Sequence, residues 1–301
     1  MTTPETNFNA RAVLVTGTSS GIGRACALLL TKNGFTVLAG VRKPVDGEAL
    51  AKEVGERLIP LQIDVTDHDG VTAAARLSAN MLRERGLSLH ALVNNAGIGT
   101  SAPLEFQPLD DIRRSFEVNV LGQIAVTQAF LPLLRETRGR IVNICSVGDR
   151  IAIPFGGTLN GSKSAFAMMS ESLRLELRPW GMHVIIIDPG AITTPAVDKT
   201  LGDPEGILRR MSPDAERLYG KFFREFVSRA GERERNGSPP DVVANAVLSA
   251  LCDEHPHRRY VVGKGARTLA TLPKVLPASL LDRVRMKIFG MPTRFGANER
   301  N

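Results

Sequence analysis

A glycine-rich segment near the N-terminus has the residue types and spacing that hold a phosphate group. It reads Thr16-Gly17-Thr18-Ser19-Ser20-Gly21-Ile22-Gly23, between an apolar run and a helical pattern. Gly17 permits a tight turn, Gly21 lets the backbone approach a pyrophosphate, and Gly23 lets the helix pack closely. Since a helix N-terminus offers free N–H groups, the segment predicts a dinucleotide site, with an ordinary strand–helix turn as the alternative. The expected contacts are Gly17, Ser19, Ser20, Gly21, Ile22 and Gly23.

The end of the second predicted strand indicates which dinucleotide is bound. It reads Ala39-Gly40-Val41-Arg42-Lys43, and no carboxylate follows until Asp46. A carboxylate there would accept a hydrogen bond from the ribose 2′-hydroxyl of NAD, whereas an arginine accommodates the 2′-phosphate of NADP. Arg42 therefore predicts NADP(H) in preference to NAD(H), unless it is only a solvated loop residue.

Apolar runs alternate with helical patterns over most of the chain. The strands lack in–out alternation, which is typical of a parallel sheet covered by helices on both faces. The pattern predicts an α/β fold with a doubly wound parallel (Rossmann) sheet. Predicted strands cover 12–16, 35–41, 58–63, 89–94, 140–145, 183–188 and 259–262, and predicted helices cover 22–32, 47–57, 68–85, 110–135, 161–178 and 241–252.

Two stretches depart from this alternation. A lid insert of about 194–240 lies within the Rossmann domain of residues 1–265, and residues 266–301 form a basic C-terminal extension. From His255 to the end there are ten Lys and Arg against two Asp and Glu, a balance of +8, and the rest of the chain has −1, so the tail accounts for the net charge of +7. Apolar residues at helical spacing predict an amphipathic helix in this tail, and they are Leu280, Leu281, Val284 and Ile288.

Further motifs follow in a fixed order. They are Asp64-Val65, Asn94-Asn95-Ala96-Gly97, Asn119, Ser146, Lys163, and Pro189-Gly190 with Thr193 or Thr194 after it. Together with the glycine-rich segment, which reads TGxxxGxG, they resemble the short-chain dehydrogenase/reductase family over roughly residues 10 to 263. The resemblance implies further cofactor contacts at Asp64, Val65, Asn94, Ala96, Gly97, Lys163, Pro189, Gly190 and Thr193.

The same resemblance implies a catalytic set of Asn119, Ser146 and Lys163, with one departure. In the family a tyrosine protonates the carbonyl oxygen, and a lysine four residues later lowers the pKa of that tyrosine. Positions i and i+4 lie on one helix face, which lets the two side chains share a site. Here the residue four before Lys163 is Leu159, which has no proton to give.

Four explanations of Leu159 remain open. The chain is a working oxidoreductase with a substitute acid, for which the candidates are Tyr219, Asn160 or Thr158 through water, and Lys163 through a ribose hydroxyl. It is a pseudoenzyme that binds NADP(H) without rapid turnover, or a non-redox catalyst on the same scaffold. The fourth explanation is an engineered Tyr-to-Leu substitution. The intact Asn119, Ser146 and Lys163 favour redox chemistry.

Other segments resemble the retinol and hydroxysteroid dehydrogenases of this family. They are Ser172–Gly181, Val41-Arg42-Lys43 with Asp46-Gly47, and the long insert after Thr194. This resemblance implies a bulky apolar alcohol or ketone as substrate. Candidate pocket residues are Phe155, Met211, Tyr219 and Phe222, for which packing within the lid is the alternative.

Composition and helix pattern give expectations about partners. Helices 110–135 and 158–179 are apolar on more than one face. Because the resemblance implies that these helices pair between subunits, we expect a homodimer or homotetramer, with a monomer capped by its tail as the alternative. Only the tail charge supports nucleic-acid binding, which we do not expect. The tail is compatible with a weak membrane-surface contact, for which a solvated surface on the last helix is the alternative. Three dispersed cysteines, no metal-ligand cluster and no apolar leader predict a cytoplasmic protein without a metal.

Overall fold

The computed structural model describes residues 10–294 and contains a seven-stranded parallel sheet. The strand order is β3-β2-β1-β4-β5-β6-β7, which confirms the doubly wound Rossmann fold. The chain reverses its direction of winding between β1 and β4, so a cleft opens at the carboxyl ends of these strands. The strands are β1 (Arg11–Thr16), β2 (Thr36–Val41), β3 (Leu58–Gln62), β4 (Ser88–Asn94), β5 (Arg140–Ile144), β6 (His183–Pro189) and β7 (Arg259–Val262).

Helices cover both faces of the sheet, as the apolar character of the strands requires. One face packs against α1 and α10, and the other against α3 and α5. The helices are α1 (Gly21–Lys32), α2 (Pro44–Val54), α3 (His68–Glu84), α4 (Leu109–Phe116), α5 (Gly122–Glu136), α6 (Gly157–Leu177), α7 (Ala196–Leu201), α8 (Pro204–Arg209), α9 (Pro213–Arg235), α10 (Asp241–Cys252), α11 (Ala266–Val275) and α12 (Ala278–Ile288).

Three of the predicted helices differ from the structure by more than one residue. Helix α2 begins at Pro44, because proline suits a first helical position, and ends at Val54, since the next residue, Gly55, has a φ of 89°. Helix α6 begins at Gly157, one turn earlier than expected. The single helix predicted over 110–135 is interrupted by a π-helical turn at Glu117–Leu121. Such turns cluster at functional sites, and this one carries Asn119.

The lid insert is helical, which its sequence did not predict. Helices α7, α8 and α9 lie between β6 and α10, and α9 buries one face, including Phe223 and Phe226. The C-terminal helices complete this packing. Leu281 of α12 is buried against the turn after β5, and Phe289 is buried against Phe226. The lid and the tail therefore form one layer over the carboxyl ends of the strands.

The segment Leu109–Glu136 is long and apolar enough to cross a membrane by length and composition alone. Its α5 part is packed against the sheet, with Val126, Phe130 and Leu134 fully buried. A core helix has the same composition as a membrane-spanning one, so this packing accounts for the apolar character of the segment.

Candidate coenzyme and catalytic site

The glycine-rich segment forms a tight cradle between β1 and α1. Gly17 and Gly21 have φ values of 70° and 56°, a region that side chains disfavour. At Gly23 a Cβ atom would lie 2.2 Å from the Gly17 carbonyl oxygen, so only glycine fits there. Ser20 makes no side-chain cap and the first turn of α1 holds no acidic residue, which leaves the N–H groups of this turn to an anion. The cradle therefore fits a dinucleotide pyrophosphate.

Asn95, the residue directly after β4, braces the cradle, and the sequence analysis did not predict this role. Its Nδ2 donates to the carbonyl oxygens of Thr16 at 2.8 Å and Gly17 at 3.2 Å. Its backbone N–H and that of Ala96 both donate to the Thr16 hydroxyl. The NNAG motif contained the signal, since Asn95 is its second asparagine. Asn94 has a different role, because its carboxamide is buried and donates to Thr127 and Asn143 within the core.

Arg42 lies exposed at the carboxyl end of β2, where a ribose 2′-substituent would lie. Within residues 10–294 it makes no salt bridge, whereas Arg24 is paired with Glu53 at 2.5 Å. Asp64 is exposed and Val65 is buried. Burial raises the pKa of Asp64, but hydrogen bonds from Thr66 and the Arg42 charge outweigh it and lower that pKa. Arg42 therefore has a free guanidinium for a phosphate.

Asn119 and Gly97 connect the loop after β4 with helix α6. The Asn119 carboxamide accepts from the Ile98 N–H at 2.9 Å and donates to the Ile98 carbonyl oxygen at 3.0 Å. It also donates to the Ser162 hydroxyl of α6 at 3.0 Å. A Cβ atom at Gly97 would lie 3.2 Å from the Asn119 Oδ1 and 3.7 Å from Lys163 Nζ. The side chain of Asn119 thus positions the loop, and Gly97 keeps the space beside Lys163 open.

Lys163 and Leu159 lie one turn apart on α6. The Lys163 Nζ donates to the Ile144 carbonyl oxygen at 2.8 Å, at the end of β5. Burial lowers the pKa of Lys163, and nearby Cys145 and Asp188 oppose that shift. The Leu159 side chain is half-buried, and its backbone carbonyl accepts from Ser162. The ammonium that a catalytic lysine supplies is therefore in place, without a hydroxyl beside it on Leu159.

Ser146 begins the turn that follows β5. Its hydroxyl oxygen accepts from the Gly148 N–H at 3.1 Å, and its backbone carbonyl accepts from the Asp149 N–H at 2.9 Å. The side chain keeps partial exposure, so its hydroxyl hydrogen is free to polarise a carbonyl oxygen. The turn lies against Asn160, which donates to the Ile151 carbonyl oxygen at 3.3 Å.

The turn after β6 faces the cradle through Thr194. Gly190 follows Pro189 and packs so closely that a Cβ atom would lie 2.6 Å from the Lys264 carbonyl oxygen. The Thr193 hydroxyl donates to backbone carbonyls at the end of α9, including that of Arg235 at 3.1 Å. The Thr194 side chain instead lies 3.3 Å from where a Gly21 Cβ would be. Of the two threonines that the sequence offered, Thr194 is the one beside the cofactor loop.

The lid places the four candidate pocket residues in different surroundings. Phe155 has a strained φ of 58°, and its ring packs edge-on against Tyr219, Phe223 and Phe226. Met211 lines a cavity of about 80 Å³ with Gly99 and Thr200. Phe222 is half-buried and lies outside this ring cluster. A drug-sized ligand needs about 300 Å³ or more, so this cavity alone does not hold a bulky substrate, whereas the cavity of about 330 Å³ between the turn after β5 and α6 has that size.

Comparisons with known proteins agree with this geometry. The family model described as short chain dehydrogenase matches residues 11–204. Retinol dehydrogenase 5 of Mus musculus is 37% identical over 290 residues, with 94% of this chain and 90% of that protein covered. Estradiol 17-beta-dehydrogenase 2 of Rattus norvegicus is 35% identical over 288 residues, covering 93% of this chain and 75% of that protein.

A solved structure shares the fold together with a bound dinucleotide. It is a short chain dehydrogenase from Burkholderia cenocepacia in complex with NADP, at 28% identity and a TM-score of 0.67. The match covers 92% of this chain and 97% of that chain. With the family match and the identities above, the cradle and the catalytic turn have one explanation, and the chain belongs to the short-chain dehydrogenase/reductase family.

Proposed function

We propose that the chain is an NADP(H)-dependent oxidoreductase that interconverts a bulky apolar alcohol and its carbonyl form. The observation that carries this proposal is the position of Lys163, whose Nζ lies at the end of β5, beside Gly97 and on the helix face that Asn119 braces. The names of the relatives, a retinol and an estradiol dehydrogenase, support an apolar substrate.

The chain's own residues hold the coenzyme and orient the carbonyl. The cradle of Gly17–Gly23 receives the pyrophosphate, and Arg42 binds the 2′-phosphate. Lys163 donates to ribose hydroxyls, and Ser146 donates to the carbonyl oxygen of the substrate. When bound, the nicotinamide supplies or accepts the hydride.

Because Leu159 has no hydroxyl, the proton for the carbonyl oxygen needs another donor. Three of the four candidate acids are unsuitable. The Tyr219 hydroxyl donates to Glu105 at 2.7 Å, and this hydrogen bond, more than burial, raises the pKa of Tyr219. The Thr158 hydroxyl is buried and donates to Gln107 at 2.6 Å. Asn160 carries an amide, which is a very weak acid. These three side chains are poor proton donors for a substrate.

Lys163 remains as the proton donor that we propose. Burial lowers its pKa from the ordinary value, which makes its ammonium a stronger acid than that of a solvated lysine. A general acid works best when its pKa lies near the working pH. Lys163 therefore holds the exchangeable proton at Nζ, and its transfer to the carbonyl oxygen is slow for lack of an intervening hydroxyl at residue 159.

The test is oxidation of NADPH and NADH over a panel of apolar ketones and aldehydes. The wild type is compared with Leu159→Tyr and with Leu159→Phe, which matches the tyrosine in size but has no hydroxyl. We expect slow wild-type turnover that Lys163→Met abolishes, and a gain of about 100-fold or more in Leu159→Tyr only. Binding of NADPH, followed by fluorescence, separates a loss of chemistry from a loss of affinity. Absence of turnover in every variant that still binds NADPH contradicts the proposal.

A second candidate function is NADP(H) binding without turnover, and Leu159 is the observation that favours it. Leucine removes the usual acid while the cradle, Arg42 and Lys163 stay in place. This candidate predicts tight NADPH binding by the wild type, with turnover only in Leu159→Tyr. The same set of variants therefore discriminates the two functions.

We further propose that a second copy of the chain covers the outer face of α6. Met168 is 70% exposed and Leu175 is 58% exposed, and they lie on the same face two turns apart. Leu121 of the neighbouring π-helical turn is also exposed. Light scattering that gives a dimer or tetramer mass supports this proposal, and a monomer mass contradicts it.

The proposed membrane contact of the tail has a smaller surface than its sequence suggested. Leu281 is buried and Ile288 packs against the lid, so the apolar side of α12 largely faces the protein. Val275 and Leu280 remain exposed beside Lys274 and Arg283. Co-sedimentation with anionic vesicles that a Val275→Ser and Leu280→Ser double variant abolishes is the result that supports the contact. Equal sedimentation of both proteins contradicts it.

A further inference from the structure

Four charged residues meet between β6, β7 and the turn after β5, and we call them the ion cluster: Asp149, Arg150, Asp188 and Arg259. Arg259 donates to Asp188 through Nε at 2.5 Å and through Nη2 at 3.2 Å, and its Nη2 also pairs with Asp149. The Arg150 guanidinium lies 3.5 Å from Asp188 and 3.7 Å from Asp149. Each arginine therefore contacts both carboxylates.

The ion cluster is removed from water. The Asp188 side chain is fully buried, that of Asp149 is 2% exposed, and those of Arg259 and Arg150 are 16% and 23% exposed. Burial raises the pKa of Asp188, and the Arg150 charge opposes that shift. Taking charges out of water has a free-energy cost that the ion pairs scarcely offset, and apolar residues of similar volume are often as stable. Stability alone is therefore a poor explanation for this arrangement.

The members of the ion cluster lie in or next to the two turns that border the proposed reaction. Asp149 is the third residue after Ser146 and donates its N–H to the Ser146 carbonyl oxygen. Asp188 directly precedes Pro189 and Gly190. Arg259 begins β7, and it joins the two turns because one guanidinium contacts both aspartates.

Helix α6 fixes the first turn from the opposite side. The Ser164 hydroxyl donates to the Asp149 carbonyl oxygen at 3.0 Å, and Asn160 donates to that of Ile151. Because α6 holds the backbone of this turn, the contacts of the Asp149 carboxylate determine the distance between the turn and β6. A bidentate arginine allows little freedom in that distance.

We propose that the ion cluster is a positioning device that fixes the Ser146 turn relative to the Pro189-Gly190 turn. It holds the Ser146 hydroxyl at a set distance from the nicotinamide side of the cleft. A displacement of about 1 Å in such a group lowers a rate by about 100-fold. This consequence for catalysis rests on the proposed oxidoreductase function, whereas the coupling of the two turns does not.

The test uses Asp149→Asn, which keeps the size of the side chain and removes its charge. Glu171→Gln is the matched control, because Glu171 lies 3.8 Å from the same Arg259 guanidinium but belongs to neither turn. Hydrogen exchange of the coenzyme-free protein reports on the amides of Gly148, Gly190 and Ala191, which hydrogen-bond within or beside the turns.

In Asp149→Asn we expect these amides to exchange about 10-fold faster, including Gly190 and Ala191, which the substituted residue does not contact. Exchange elsewhere and in Glu171→Gln stays unchanged. We also expect kcat to fall about 10-fold or more while the KM for NADPH changes less than about twofold. A purely structural role would lower thermal stability without lowering kcat selectively relative to the KM for NADPH.

The outcomes separate the ion cluster from the proposed function. Faster exchange in both turns without turnover in any protein overturns the oxidoreductase proposal and supports the coupling. Normal kcat with unchanged exchange at Gly190 and Ala191 overturns the coupling and leaves the oxidoreductase proposal standing. Uniformly faster exchange over the whole chain also overturns the coupling of the two turns, because such exchange indicates general destabilisation.

Discussion

Between Thr16 and Asn95 the chain surrounds its phosphate cradle with backbone atoms, whereas between Ser146 and Lys163 it depends on side chains. In the first region, the coenzyme half, the requirement at Gly23 is that no side chain be present. In the second, the catalytic half, each role belongs to one functional group on one atom. A backbone site has few permitted alternatives, because its geometry is lost with almost any substitution. A site made of side chains can lack one functional group and keep its shape, as here, where Leu159 provides no hydroxyl.

The largest expected effect breaks the coenzyme half by adding one carbon atom. In Gly23→Ala the new Cβ would lie 2.2 Å from the Gly17 carbonyl oxygen and 2.5 Å from Asn95 Nδ2, so the backbone must move. We expect NADPH affinity to fall about 100-fold or more, measured by fluorescence titration. Gly161→Ala on α6 is the control, because the closest atom to its new Cβ is 3.9 Å away. That variant should bind NADPH normally, and a comparable loss in both would contradict the backbone argument.

A smaller effect is expected where the lid covers the catalytic half. Phe223 is fully buried and packs edge-on against Phe155, so Phe223→Ala leaves a cavity and costs about 3–5 kcal/mol of lid stability. We expect the substrate KM to rise and NADPH affinity to stay unchanged. The control is Phe222→Ala at the next, half-buried position, which should cost clearly less in thermal unfolding. Equal losses in the two variants would mean that the ring cluster is not what holds the lid.

The preference for NADPH over NADH is expected to depend on one side chain of the coenzyme half, that of Arg42. Removing the free guanidinium in Arg42→Ala should weaken NADPH binding by about 1.5–3 kcal/mol, the value of a hydrogen bond to a charged group, and leave NADH binding unchanged. Arg24→Gln is the control, since Arg24 is already paired with Glu53. If NADPH affinity falls in Arg24→Gln and not in Arg42→Ala, the 2′-phosphate lies elsewhere.

The same contrast explains how much the sequence predicted. Glycine patterns have few structural meanings, so the cradle and the doubly wound parallel sheet followed from Gly17, Gly21, Gly23 and the apolar runs, whereas the strand order did not. The interruption of the long helix at Asn119 did not, because the hydropathy of a π-helical turn resembles that of an α-helix. The helical lid was missed as well. The apolar residues of α9 are too few among its charges to stand out until Phe289 of the tail packs against them.

Side-chain roles were predicted less well for a physical reason. Asn94 and Asn95 are adjacent and chemically identical, yet Asn94 bonds within the core and Asn95 braces the cradle, since β4 ends between them. The ion cluster joins residues up to 110 positions apart, such as Asp149 and Arg259. No local pattern contains that information, because only the parallel order of β5, β6 and β7 brings them together.

The smallest expected effect is a pH dependence in the coenzyme half, where His90 on β4 stacks on Phe35. Burial, with the charges of Arg11 and Arg140, lowers the pKa of His90 from 6.5 to about 4. The folded protein therefore binds fewer protons than the unfolded chain between these values, so the stability from neutral His90 is present above pH 6.5 and lost as the pH falls towards 4.

In His90→Gln the Tm should fall less between pH 7 and pH 4.5 than in the wild type, although the Tm of the variant at pH 7 is lower. His68→Gln, at an exposed histidine 3.3 Å from Glu117, controls for the loss of a surface histidine. Wild-type and His90→Gln curves that stay parallel over this range would show that folding does not lower the pKa of His90, and that β4 is open to water where the coenzyme half is expected to be dry.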